Sequence, residues 1–233
     1  MAIPILIIGE VTMNTSIFTV AGPIMIGPSS SHTAGAAKLG RVAKQIVGRE
    51  FNRVEFYLHG SFEKTGKGHG TDRALLAGVM GICEDDERLP NSFEIAKERG
   101  IDFSFDSITL ENSHENAVRI IFYMDNEKLS QIEGASIGGG EILITKINGY
   151  DVKIRGNLTT IFVRQNDKKG VISHIARILN DNDINIATMN VSRSAKAADA
   201  MCIVEVDGDI SQEVAEALAD YKEIKFVKII KHL

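Results

Sequence analysis

Residues able to do chemistry gather at two places in this chain. The first is Gly27-Pro28-Ser29-Ser30-Ser31-His32-Thr33-Ala34-Gly35-Ala36-Ala37. Gly and Pro end the apolar run Pro23-Ile24-Met25-Ile26. A helix-period segment, Lys38 to Val47, follows and is closed by Gly48. A serine hydroxyl there can cap the helix by accepting from its first free N–H groups. Ser29, Ser30, Ser31 and Thr33 then share one helix N-terminus with the imidazole of His32, a seat for a carboxylate or phosphate. The small residues Ala34, Gly35, Ala36, Ala37 and Gly40 predict close packing of this helix against a partner.

The second place is Leu58-His59-Gly60-Ser61-Phe62-Glu63-Lys64-Thr65-Gly66-Lys67-Gly68-His69-Gly70-Thr71-Asp72. As a phosphate-binding P-loop it fails. Five residues separate Gly60 from Gly66-Lys67, and Gly68 stands where a hydroxyl residue is required. Gly60 to Gly70 is expected to be a glycine-rich loop, with Thr71 or Asp72 capping the helix that follows. Its chemistry rests on histidine, which takes and returns a proton near neutral pH. His32, beside helix N–H groups, is expected to be held neutral. His59 ends a strand and reads as a hydrogen-bonded core residue. His174 and His232 read as surface residues.

Gly27 to Ala37 resembles, without departure, the Gly-Pro-Ser-Ser-Ser-His-Thr-Ala-Gly signature of the beta chain of iron–sulfur-dependent L-serine dehydratase. Gly60, Ser61, Thr65 to His69, Thr71 and Asp72 match that family's Gly-Ser…Thr-Gly-Lys-Gly-His…Thr-Asp string. Ser113-His114-Glu115-Asn116 is similar to its His-Pro-Asn turn, with Glu115 in place of proline. Ser136-Ile137-Gly138-Gly139-Gly140 is similar to its Ser-x-Gly-Gly-Gly stretch, whose glycines permit close approach of a ligand or another backbone. The resemblance implies the beta subunit of an L-serine ammonia-lyase, giving pyruvate and ammonia. It implies His32 and His69 as the acid–base pair, Ser29, Ser30 and Ser31 with the helix N-terminus as the carboxylate seat, and Thr33 as a further substrate-binding residue. Ser61, Thr65, Lys67, Thr71 and Asp72, with His114 and Asn116, would complete the serine pocket. It also implies a [4Fe–4S] cluster whose open iron polarises the leaving oxygen. With two cysteines, Cys83 and Cys202, this chain lacks the thiolates a cubane requires, so the cluster would be ligated by a separate alpha chain.

The elements that must position these residues read as α+β. The chain has 233 residues, enough for one large domain or two small ones. Its net charge of −5 and lack of a basic block argue against a nucleic-acid partner. The cysteines form no Cys-x-x-Cys pair, so neither a disulfide scaffold nor a metal site within the chain is expected. Met1 to Gly9 is apolar without a basic flank and too short to cross a bilayer, which predicts a cytoplasmic protein. Met1 to Thr12 reads as an upstream extension or an extra edge strand, with Met13 an alternative start.

Arg53 to His59 alternates as a half-buried strand, and Ala74, Leu75, Leu76, Val79 and Met80 lie on a helix. Glu84 to Glu87 is expected to be a solvated connection and Asn91 to Arg99 a short helix ended by Gly100. Ile101 to Leu110 and Val118 to Tyr123 carry period-two signals, and Asn148-Gly149 marks a hairpin. This mixed-sheet domain, residues 1–154, is expected by resemblance to look like the allosteric substrate-binding domain of some phosphoglycerate dehydrogenases. After Arg155-Gly156-Asn157, residues 158–233 read as βαββαβ, the ferredoxin-like split unit. The spacing of Asn166, Asp167, Gly170 and Ile184-Asn185-Ile186 resembles the ACT domain, which often binds amino acids. Those four polar and glycine positions are its implied ligand residues, with Lys169 where the family usually has proline, and the module can also mediate self-association. Two rival functions stand beside the lyase. One is a non-catalytic amino-acid-sensing regulatory subunit, and the other is an anion- or nucleotide-binding enzyme using the glycine-rich stretches.

Overall fold

A computed structural model describes residues 23–193 and 199–232. The expectations for Met1 to Thr12 and for Met13 lie outside the described residues. The first element of the described residues is a π turn over Ser30–Ala34 that runs directly into α1, Gly35–Val47. β1 is Arg53–Leu58, α2 Ser61–His69, α3 Thr71–Val79, and α4 Ser92–Glu98. Then come β2 (Asp102–Ser107), β3 (Ala117–Met124), β4 (Glu127–Gly138), β5 (Glu141–Ile147) and β6 (Tyr150–Ile154). They form a mixed six-stranded sheet in the order β2-β1-β3-β4-β5-β6. Among the described strands only β1 and β2 pair in parallel, joined by the helical crossover α2-α3-α4.

Alternation along the strands decides which face is covered. Val54 and Phe56 of β1, Val118, Ile120 and Phe122 of β3, and Ile142 and Ile144 of β5 are buried against the helices. There they meet Leu39, Val42 and Ala43 of α1 and Leu75, Leu76 and Val79 of α3 in one core. The opposite face carries Arg53, Glu55, Tyr57, Arg119 and Tyr123, all half-buried. The expected close packing of the first helix is real. A Cβ on Gly40 of α1 would lie 2.6 Å from the carbonyl oxygen of Leu75 and 2.8 Å from the backbone nitrogen of Val79. On Gly78 of α3 it would lie 2.9 Å from the Cα of Gly40. The two helices therefore cross backbone against backbone.

The glycine-rich stretch is not a loop. Ser61–His69 is a helix with Phe62 and Gly66 buried. Its glycines punctuate rather than unravel it. Gly60, at φ 60°, starts α2, and Gly70, at φ 68°, ends it and begins α3. Thr71 and Asp72 accordingly lie inside α3 rather than capping it. The acidic run is only partly solvated. Glu84 accepts from Arg41 at 2.7 Å, and its carbonyl receives the N–H of Ile26 at 2.7 Å. β4 is unanticipated because its inner half, Gly134-Ala135-Ser136, is small rather than apolar and alternating.

The second unit runs β7 (Thr159–Asn166), α5 (Val171–Asp181), β8 (Ile186–Arg193), β9 (Asp199–Val206), α6 (Gln212–Ala219) and β10 (Ile224–Ile230). Its sheet is antiparallel, in the order β10-β7-β9-β8. Ile161, Val163, Ile175, Leu179, Val204 and Leu218 form its own core. Phe162, Ile203 and Ile230, on the other face of that sheet, join the larger core instead. Lys228 of β10 donates to the carbonyl of Ile46, in the last turn of α1, at 2.6 Å. His174 is half-buried and stacked on Tyr221 at 4.3 Å, not a free surface residue.

Candidate active site

The site is assembled where the π turn meets α2. Ser29 caps the turn, its hydroxyl accepting from the N–H of His32 at 3.1 Å. That is the cap the serine run predicts. Gly35 N–H then closes the turn by donating to the carbonyl of Ser30. A π turn opening a helix widens its first turn, a local irregularity frequent at functional sites. Ser29 Oγ lies 3.3 Å from Ser31 Oγ, and Ser31 Oγ lies 3.2 Å from Nδ1 of His32. The Ser30 hydroxyl makes no hydrogen bond to another of the described residues.

On the other side of the ring, Nε2 of His32 lies 3.0 Å from Ser61 Oγ and 3.1 Å from Thr65 Oγ1. His69 brings its ring to 4.9 Å, centroid to centroid, from that of His32. Its Nδ1 lies 3.0 Å from the carbonyl of Thr65, so a proton on Nδ1 is donated there and Nε2 is left as the free base position. Phe62 meets the His32 ring edge-on at 5.4 Å. Burial holds the His32 imidazole below its ordinary range, and the neighbouring His69 adds to this, while the hydrogen bond with Ser61 opposes it. The expected neutral bias is therefore present, with burial as its main cause. Two imidazoles, five hydroxyls and the open N–H groups of a helix start can hold a carboxylate and move a proton beside it.

The register of α2 explains which residues take part. Ser61, Thr65 and His69 are spaced by four, so they line one helix face, toward His32. Glu63 and Lys67 lie on another face. Lys67 and Asp72 line a separate groove of about 590 Å³ with Phe62, Phe93, Phe103 and Phe105, so the structure does not bring them to the His32 cluster. Thr33 is buried, and its hydroxyl donates to the carbonyl of His69 at 3.1 Å, tying the π turn to the end of α2. Thr71 is fully buried beneath Gly66, with no partner for its hydroxyl among the described residues. Both thus sit in the wall rather than on its open surface. His114 lines a different cleft, of about 460 Å³, with Glu111, Glu133 and Thr145. Its Nδ1 accepts from the N–H of Asn116, whose carbonyl receives the N–H of Ser136.

Phe62 is the neighbour of His32 that sequence reasoning missed. Its signal is the helical spacing from Ser61 to His69, hidden by the two glycines at 66 and 68. In the second unit, Asn166 is bonded to Glu223 at 2.8 Å and Asp167 is paired with Arg193 at 2.7 Å. Gly170, at φ 94°, starts α5. Asn185 bonds Asp207 at 2.7 Å, at the far end of β9 from the strand end that faces Asn166. These four residues are therefore not gathered at one point. Among the described residues no cluster of three or more His, Cys, Asp or Glu is placed to hold a metal ion. Cys83 accepts from Arg41, and Cys202 is buried, its thiol pushed up to about 12 by burial. No helix of the described residues is long and apolar enough to cross a membrane.

Two family models and three relatives match this chain. Residues 16–146 match the family model described as serine dehydratase beta chain, and residues 159–223 match that of the ACT domain. The L-serine dehydratase beta chain of Peptoniphilus asaccharolyticus is 41% identical over 217 residues, covering 93% of this chain and 98% of that one. The L-serine dehydratase of Helicobacter pylori (strain 26695) is 33% identical over 145 residues, which span 53% of this chain and 32% of that longer one. D-3-phosphoglycerate dehydrogenase of Bacillus subtilis is 29% identical over 196 residues, 84% of this chain and 37% of that protein.

Proposed function

The chain belongs to the serine dehydratase beta-chain family, and on that premise we propose that it is the beta subunit of an L-serine ammonia-lyase that works with a separate alpha chain. The reaction removes the Cα proton and the β-hydroxide of serine as water. The resulting enamine tautomerises and is hydrolysed to pyruvate and ammonia. The observation that carries this reading is the His32 site itself. A neutral imidazole is wedged between the hydroxyls of Ser31, Ser61 and Thr65, with a second imidazole 4.9 Å away.

The hydroxyls of Ser29 to Ser31 and the free N–H groups of the π turn seat the substrate carboxylate. His32 and His69 then divide two proton movements, one accepting from Cα and the other delivering to the departing oxygen. Held below its ordinary range, His32 is unprotonated at neutral pH and ready to accept. Thr33 and Phe62 fix the spacing of the two rings. The residues of this chain do not fit an iron–sulfur cluster, because its one half-buried thiol and one fully buried thiol sit in different units and no metal-holding cluster among the described residues accompanies either. The [4Fe–4S] cluster of the reaction is thus assigned to the alpha chain. In support, the Helicobacter pylori enzyme is a longer chain of which the matched segment is only a third. A cytoplasmic location goes with this assignment.

The likeness to D-3-phosphoglycerate dehydrogenase favours a second reading, a regulatory subunit that senses an amino acid without catalysing. Anaerobic reconstitution with a candidate alpha chain, followed by assay for pyruvate, separates the two. Pyruvate formation that falls with His32→Ala supports the lyase subunit. Full activity of the alpha chain alone, modulated but not enabled by this chain, supports the sensor.

A further inference from the structure

Ser136 lies near the end of β4, at the point where the sheet touches the π turn. It is fully buried, and its hydroxyl finds no partner among the described residues. Its N–H donates to the carbonyl of Asn116 at 3.1 Å, which locks it to the loop entering β3. Opposite it lies Gly35. The backbone of Gly35, at φ −63° and ψ −35°, is ordinary right-handed helix that any residue adopts. Conformation therefore does not require glycine there. Space does, because a Cβ on Gly35 would overlap Ser136 Oγ and lie 2.8 Å from Ser136 Cβ.

Gly35 is also the residue whose N–H closes the π turn onto Ser30. We propose that Ser136 is a positioning residue for His32: its buried side chain bears on Gly35 and fixes the turn that carries Ser29 to His32. The turn is then clamped on two flanks. Thr33 ties it to the carbonyl of His69, and Ser136 holds it against the sheet. Ser136 is too deeply buried to touch substrate, so it acts through the imidazole and not on the reacting atoms. For catalysis this rests on the lyase reading; for the geometry of His32 it does not.

The test reads His32 directly, in the full chain without any partner. The Cε1–H resonance of each histidine is followed against pH by NMR, with His174 in the second unit as the internal reference. In Ser136→Gly the support under Gly35 is removed, and in Gly35→Ala the turn is pushed off the sheet. Either change lessens the burial of His32, so its midpoint moves up toward about 6.5 while that of His174 stays put. Gly35→Ala combined with Ser136→Gly restores the space and returns His32 toward its original midpoint. In the reconstituted complex the single variants lose turnover about tenfold or more, with little change in apparent serine affinity, and the double variant recovers it. An unchanged His32 midpoint in Ser136→Gly, or a double variant that titrates like Gly35→Ala alone, overturns the proposal. If Gly35→Ala fails to fold, recovery of folding in the double variant supports the contact, and Ser136→Gly alone decides the effect on His32. Shifted titrations with undiminished turnover would uphold the positioning role and refute His32 as acid or base.

Discussion

Gly40→Ala sets two effects of known size against each other. In an isolated helix, alanine stabilises by about 1 kcal/mol over glycine, because glycine loses more backbone freedom on folding. Gly40 sits mid-helix with ordinary helical geometry, so that gain is available. Against it stands the crossing with α3, where the new Cβ would lie 2.6 Å from the carbonyl oxygen of Leu75 and 2.8 Å from the nitrogen of Val79. Both are backbone atoms and cannot rotate aside. Non-bonded contacts of this kind settle near about 3.5 Å, so the helices must part by about 1 Å. Overpacking of a close-packed core costs roughly 1–3 kcal/mol, and a backbone clash belongs at the upper end. The net expectation is a loss of about 2 kcal/mol. The separation also moves His32, at the head of α1, away from His69, which leads into α3 through Gly70. A misplacement of about 1 Å can cost about 10²-fold in rate. Denaturant unfolding of the isolated chain, paired with pyruvate production by the reconstituted complex, reads both quantities. A variant more stable than the parent, with normal turnover, would show that propensity wins and that the crossing is not tight.

His32→Ala and His69→Ala should each lower turnover by about 10²–10⁴ while leaving apparent serine affinity nearly intact, as steady-state kinetics will read. Ser30→Ala should instead weaken serine binding, by about 1–3 kcal/mol, with a smaller effect on turnover. The lowered range of His32 has a sign. The unfolded chain binds that proton more readily, so the contribution is complete above about pH 6.5 and is lost as pH falls through the folded value. The parent should therefore lose more stability than His32→Gln between pH 7.5 and 5 in parallel denaturant titrations. Anaerobic loading of the isolated chain with iron and sulfide should leave it colourless, and a stoichiometric cluster absorbance would contradict the two-chain assignment.

Most of the framework was legible because apolar periodicity and turn residues agree along the chain. Val54, Phe56 and Leu58 alternate as a strand must, Asn148-Gly149 turns β5 into β6, and the six elements after Asn157 keep the βαββαβ order. The serine cap was legible for a local reason, since an N-terminal hydroxyl needs only the next few N–H groups. The failures share a cause as well. Glycines at 60, 66, 68 and 70 point to a loop, yet Gly60 starts a helix, Gly70 ends it, and Gly66 is small because Thr71 packs beneath it. Lys67 and Asp72 are grouped with His69 by the family string alone. In space Lys67 lies about half a helical turn from His69, and Asp72 belongs to the next helix. Ser136 and Gly35 lie far apart in sequence, and nothing in either local pattern announces their contact.

α1 begins at the turn that bears His32, and Lys228 from β10 grips the carbonyl of Ile46 at its other end. Thirteen residues of helix make a rod roughly 20 Å long. Its hydrogen bonds run lengthwise, so it resists compression better than bending. The same rod therefore carries the turn that bears His32 at one end and the β10 contact at the other, so the second unit and the imidazole are tied to one stiff body.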